Sequence, residues 1–153
     1  MRRAVLRRFR PVDRTAVRAL VESVLKEYGL WREHRRGFDD LRDIPAAYLR
    51  TGGEFVVAID GRRLIGCGGL MPLAGKLAAV QRMYLVRRAR GRGLGKAILS
   101  RLEDTARRGG FERLILETSP RFQDAIGLYL RSGYDACVLD EDCCCNIVML
   151  KGF

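Results

Sequence analysis

Residues 90 to 96 read Arg-Gly-Arg-Gly-Leu-Gly-Lys. An apolar run precedes them, Leu77 to Val86, with the character of a strand. An amphipathic stretch follows, Gly93 to Arg108, in which Leu94, Ile98, Leu102, Thr105 and Ala106 fall at helical spacing. A strand, a glycine-rich turn and a helix N-terminus in succession form an arrangement that binds phosphate. Consecutive main-chain N–H groups point into one concavity, and the helix dipole adds partial positive charge there. Glycine lets the backbone approach a ligand without Cβ collisions. Arg90, Arg92 and Lys96 add full charges.

Two common phosphate loops are excluded by spacing. A Walker A loop needs Gly where Arg90 stands and Ser or Thr where Ala97 stands, so its magnesium ligand is missing. The dinucleotide fingerprint needs a third Gly where Lys96 stands. The pattern that remains is Arg90-x-x-Gly93-x-Gly95.

The other elements follow from periodicity and turn chemistry. Ala4 to Arg10 reads as a strand. Asp13 reads as the N-cap of a helix with Val17, Leu20, Val21, Val24 and Leu25 on one face, ended by Gly29. Leu30 to Phe38 reads as a polar, aromatic loop. Asp39 to Arg50 reads as a second helix, irregular near Pro45. Glu54 to Ile59 and Arg62 to Leu70 flank the hairpin turn Asp60-Gly61. After the glycine-loop helix come a strand at Glu112 to Thr118, a helix at Phe122 to Ser132, and closing strands at Tyr134 to Leu139 and Cys144 to Lys151. The order β, α, α, β, β, β, α, β, α, β, β describes an α/β chain, a mixed sheet with helices on both faces.

The length of 153 residues suits a single domain spanning 1–153. The longest apolar runs fall far short of the roughly 20 residues of a membrane span. Arginines stand where a signal peptide would be apolar, so a cytoplasmic location is expected. The net charge is +11, and residues 82–101 hold seven cations without one acidic residue. Such a cluster attracts a polyanion, either nucleic acid or a phosphorylated small molecule. No RNA-binding aromatic motif or helix-turn-helix pattern points to nucleic acid. Cys67, Cys137, Cys143, Cys144 and Cys145 lack CxxC spacing, and His34 is the single histidine, so no metal site is expected and the cysteines read as reduced thiols.

Met83-Tyr84-Leu85 with Arg90 to Gly95 and Leu99 resembles the acetyl-CoA-binding motif of the GNAT N-acetyltransferases. Ala125-Ile126-Gly127-Leu128-Tyr129 followed by Gly133-Tyr134 is similar to a later helix of that family, in the right order and at the right separation. The resemblance implies a mostly antiparallel twisted sheet of about seven strands, splayed apart at a cofactor wedge. It implies acetyl-CoA as co-substrate. Backbone groups of Met83 and Leu85 would meet the pantetheine arm, and Arg90, Gly91, Arg92, Gly93, Leu94, Gly95 and Lys96 would form the pyrophosphate seat. It implies Tyr129 as general acid and the Leu85 N–H as oxyanion donor. The chain departs from the family at Phe122, where Asn is frequent, and in Leu77 to Gln81, where a basic carboxylate is frequent and none is present. Glu117 is then a candidate base, with Glu33 and His34 as alternatives, and Tyr84 would line the acceptor side of its strand. The expected activity is acyl-CoA-dependent transfer, with acetyl as the acyl group, to an amine of a small molecule or peptide. Transfer to a protein N-terminus or lysine, or a CoA-binding module without turnover, are the competing readings. Terminal strands of such folds often form homodimer interfaces.

Overall fold

The computed structural model describes residues 3–137 and 146–153. Cys143, Cys144 and Cys145 lie outside the described residues. The strands are β1 (Val5–Arg8), β2 (Glu54–Asp60), β3 (Arg63–Pro72), β4 (Leu77–Leu85), β5 (Arg113–Thr118), β6 (Asp135–Cys137) and β7 (Ile147–Gly152). The helices are α1 (Arg14–Glu27), α2 (Trp31–His34), α3 (Asp39–Arg42), α4 (Leu94–Arg108) and α5 (Gln123–Arg131), with a π-helical turn at Pro45–Leu49. The seven strands form one sheet in the order β1-β2-β3-β4-β5-β7-β6. Among the described residues only β4 and β5 pair in parallel, and α4 is the crossover that this parallel pairing requires.

The sheet separates two apolar layers. Ile98, Leu99, Leu102 and Ala106 of α4 pack with Tyr129 and Tyr134 against one face. Val17, Leu20, Val21 and Val24 of α1 pack with Leu41, Ile44 and Tyr48 against the other. The first layer approaches β3 very closely at Gly68. A Cβ built there would lie 2.6 Å from Ile98 Cγ2 and 2.6 Å from Met83 Sδ, so only glycine fits without displacement.

Pairing of β4 with β5 runs from Leu77↔Arg113 to Val80↔Leu116 and stops. β4 continues to Leu85 with β3 as its only strand neighbour among the described residues, leaving a wedge between β4 and β5. The β3–β4 register shifts in the same place. Gly69 faces Gln81, whereas Cys67 faces Tyr84, so two steps on β3 match three on β4. This is a bulge on β4, and bulges sharpen local twist. Within it Arg82 has φ 57, the one left-handed residue other than glycine among the described residues. That conformation costs about 1–2 kcal/mol for a residue with a Cβ. The Cys67 Sγ–H donates to the Arg82 carbonyl at 3.2 Å, so an oxygen in the irregular stretch keeps a partner.

Three local expectations change. Asp13 adjoins α1, but its carboxylate does not cap that helix. It accepts from the Arg10 N–H at 2.8 Å and from both Nη atoms of Arg7 at 2.7 and 2.8 Å. The helix expected over Asp39 to Arg50 divides into α3 and the π-helical turn, because Pro45 has no N–H to continue an α ladder. Within the stretch expected to be a loop, Leu30 to Phe38, α2 forms and both end residues are buried.

Candidate active site

The glycine turn lies where β4 leads into α4. Gly91 and Gly93 have φ of 72° and 79°, a handedness that side-chain-bearing residues rarely adopt. Together they turn the chain so that α4 begins at Leu94. Cβ atoms at Gly91 or Gly93 would have nothing within 4 Å, so these glycines serve backbone handedness and leave the concavity open. Gly95 packs against α5, its Cβ direction 3.2 Å from Leu128 Cδ2.

A cleft of about 660 Å³ joins this turn to the wedge. Of the residues expected at the cofactor seat, Met83, Leu85, Arg90, Gly91, Gly93, Leu94, Gly95 and Lys96 line it. Arg92, between the lining residues Gly91 and Gly93, is exposed and is not part of the lining. Tyr129 lines the cleft from α5. On the α1 side the walls are Val24, Tyr28, Cys67, Tyr84 and Phe122. Phe122, the departure from the family pattern, lies 4.6 Å from the Tyr28 ring and 6.2 Å from the Tyr84 ring, centroid to centroid.

The Val86 N–H donates to Ile65 on β3 at 2.9 Å. Peptide groups alternate sides along a strand, so those of Leu85 face away from β3, into the wedge. The Leu85 carbonyl already has a partner. Arg90 Nε and Nη2 donate to it at 3.1 and 2.9 Å. The same guanidinium forms a bidentate pair with Glu27 at 2.7 and 2.9 Å. It also stacks 5.2 Å from the Tyr28 ring centroid. Arg90 is thus a brace between α1 and the end of β4, and its hydrogen bonds hold the Glu27 carboxyl below the usual carboxylate range. Lys96 and Arg131, which also face the cleft, have no ion-pair partner among the described residues.

Tyr129 is 5% exposed, and burial pushes its phenol up, so the hydroxyl stays protonated. No hydrogen bond ties that hydroxyl among the described residues. Glu117 sits one residue beyond the last β4–β5 pair. Its side chain is exposed, accepts from Asn146 Nδ2 at 2.6 Å, and lies outside the cleft lining. Glu33 and His34 are on α2, also outside the lining, with His34 Nδ1 3.0 Å from the Leu30 carbonyl. Tyr84 is in the lining. Cys67 is fully buried and desolvation pushes its thiol up to about 12, which leaves it inert as a nucleophile.

Sequence reasoning did not find Glu27, Asp40 or the part played by Arg82. Glu27 and Arg90 are 63 residues apart, and no local pattern joins them. Arg82 was legible only as one cation of the basic run.

The chain matches the acetyltransferase (GNAT) family over residues 17–134. It belongs to that family. A similar curated protein is the uncharacterized N-acetyltransferase YjgM of Escherichia coli K12, 31% identical over 136 residues that make up 86% of this chain and 81% of that one. Other curated acetyltransferase relatives are matched over about half of their own length, at 45% and 54%. A GNAT-family acetyltransferase of Staphylococcus aureus Mu50 has the same fold, with a TM-score of 0.90 at 20% identity over 98% of this chain and 99% of that one. The PaiA N-acetyltransferase of Thermoplasma acidophilum, solved in complex with coenzyme A, superposes with a TM-score of 0.78 at 17% identity over 99% and 100% of the two chains. This GNAT acetyltransferase is thus an N-acetyltransferase by kinship, and members of its fold bind coenzyme A. No helix among its described residues is long and apolar enough to cross a membrane.

Proposed function

We propose that this chain transfers the acetyl group of acetyl-CoA directly to a primary amine of a small molecule or peptide. The observation that carries the reading is one continuous cleft, running from two left-handed glycines at the start of α4 to a stretch of β4 that is free on its β5 side, with a protonated phenol beside it. Acetyl-CoA, when bound, supplies an acetyl thioester. Main-chain amides of residues 91–96 would hold its diphosphate, with Lys96 and Arg131 offering charge at the rim. The outward peptide groups of Met83 and Leu85 would pair with the pantetheine amides as an added strand does. Arg90 donates both its Nε–H and its Nη2–H to the Leu85 carbonyl, so an arm amide that uses this oxygen shares it with the guanidinium.

Two proton movements must be managed. An alkyl amine near pKa about 10.4 must lose a proton before it attacks. We assign that to Glu117 acting through water, since it stands at the open end of the wedge rather than within the cleft. The Leu85 N–H, facing the wedge, is assigned to the developing oxyanion. The departing thiolate, with a free pKa of about 8.5, needs a proton. We assign that to Tyr129, because burial keeps its hydroxyl protonated and it makes no hydrogen bond to another described residue.

The test is thiol release from acetyl-CoA across an amine panel, with calorimetry of CoA binding alongside. Tyr129→Phe is expected to lower kcat by about a hundredfold or more, the usual weight of a general acid, while CoA affinity changes less than about threefold. Unchanged turnover in that variant removes Tyr129 as the acid. CoA binding without thiol release from any amine favours a binding module.

A further inference from the structure

We propose that Arg82 and Asp40 are positioning residues of this site: their ion pair holds the left-handed bulge of β4, and with it both the mouth of the wedge and the segment that covers its acceptor side. The proposal rests on the transferase reading above but is tested separately from it.

The bulge sits where β4 leaves β5. Val80 is the last residue paired with β5, Arg82 is the left-handed residue, and Met83 to Leu85 form the free edge. A Cβ disfavours that conformation, so the neighbouring structure must over-determine it. The Arg82 side chain supplies the constraint. Its Nε donates to Asp40 Oδ2 at 2.9 Å, and its Nη2 to Asp40 Oδ1 at 2.7 Å and to the Gly37 carbonyl at 2.5 Å. Its Cζ lies 5.1 Å from the Phe38 ring centroid. The two charged side chains are 14% and 12% exposed, so water screens them little. The Tyr48 hydroxyl donates to the same Asp40 Oδ2 at 2.5 Å and lies 3.3 Å from Gln81 Oε1, on the residue before Arg82. One carboxylate from α3 therefore fixes the guanidinium and orders the tyrosine beside the bulge. The backbone side of the same residue is held by the Cys67 thiol.

The partners of this clamp are remote in sequence. Gly37 and Asp40 lie 45 and 42 residues before Arg82, in the segment from α2 to α3 that covers the α1 face beside Tyr84. A loose clamp has two consequences. The bulge relaxes toward a regular strand, which moves the outward peptides of Met83 and Leu85. The segment around Gly37 loses its seat above the acceptor side.

Glycine separates these effects, because it adopts positive φ without a Cβ penalty and cannot reach Asp40. Arg82→Ala is expected to weaken CoA binding by about tenfold, the factor that left-handed strain converts to, and to lower kcat. Arg82→Gly is expected to return CoA affinity to within about threefold of the parent while the amine KM stays raised by about tenfold. A purely structural pair would lower the melting midpoint in both variants alike and leave this split absent. Equal CoA affinity in Arg82→Ala and the parent, or equal effects of Ala and Gly, overturns the proposal. If Arg82→Ala does not fold, Asp40→Asn decides: it keeps the shape and loses the charge, and an unchanged amine KM in that variant overturns the clamp. Should the parent release no thiol with any amine, the transferase reading fails, while the Ala and Gly difference in CoA affinity still decides the bulge.

Discussion

Asp13 shows how a single side chain can be located in sequence and misassigned in role. Its position before a helical pattern, and its type, suit an N-cap, yet Arg7 and the Arg10 N–H compete for the carboxylate and win with three hydrogen bonds. A bidentate guanidinium outweighs a neutral N–H donor in a site where Asp13 is 8% exposed. The hydrogen bond from Arg7 is the main cause that lowers the Asp13 carboxyl below its ordinary value. A depressed native pKa stabilises the fold at pH values above the unfolded value of about 3.9, and that stability is lost as pH falls through the native value. Arg7→Met is therefore expected to cost about 1–2 kcal/mol at pH 7 and much less at pH 2, measured by urea unfolding at the two pH values. Equal cost at both would place the loss in packing. The glycines at 91 and 93 were legible because their demand is local: handedness belongs to one residue. Glu27, Asp40 and Cys67 were not, because their partners arrive from other elements.

At the level of elements, both long helices and the strands carry their own periodicity, and the structure has β1 to β5, α1 and α4 within a few residues of the expected limits; the expected strand ends at Leu139 and Cys144 lie outside the described residues. The exceptions are residues 30–38, where α2 forms in an expected loop, and residues 39–50, where Pro45 and a buried tyrosine favour a π-helical turn over a continuous helix. The wedge was expected from the resemblance, but its physical cause, a shifted register on β4, could not be read from composition. Register depends on pairs, and the shift falls at the left-handed Arg82. The contact of α4 with β3 through Gly68 has a measurable consequence. Gly68→Ala forces a methyl within 2.6 Å of Ile98 Cγ2, so α4 must move away from the sheet. The expected cost is about 1–3 kcal/mol in denaturant midpoint, together with weaker CoA binding, since the glycine turn moves with the helix it starts. A destabilised variant that binds CoA normally would show that helix and turn shift independently.

For the whole molecule, an excess of 11 positive charges sets a broad attractive potential, while the cleft confines a smaller, oriented set at Lys96 and Arg131. CoA at a hundredfold excess over its Kd is expected to stabilise the protein by about 2.7 kcal/mol, seen as a higher Tm. Raising salt from about 0.05 to 0.5 M is expected to weaken that binding about three- to tenfold, because main-chain amides are less screened than exposed cations. An oligonucleotide that raises Tm more than CoA does would transfer the charge to a different purpose. Arg90 bears on how such a ligand arrives. Its guanidinium reaches the last turn of α1 on one side and the end of β4 on the other, so the turn that follows it has no slack in which to swing. On the proposed reading a visitor meets a berth anchored from both sides before contact, and the order that many nucleotide sites acquire only on binding is supplied by the fold.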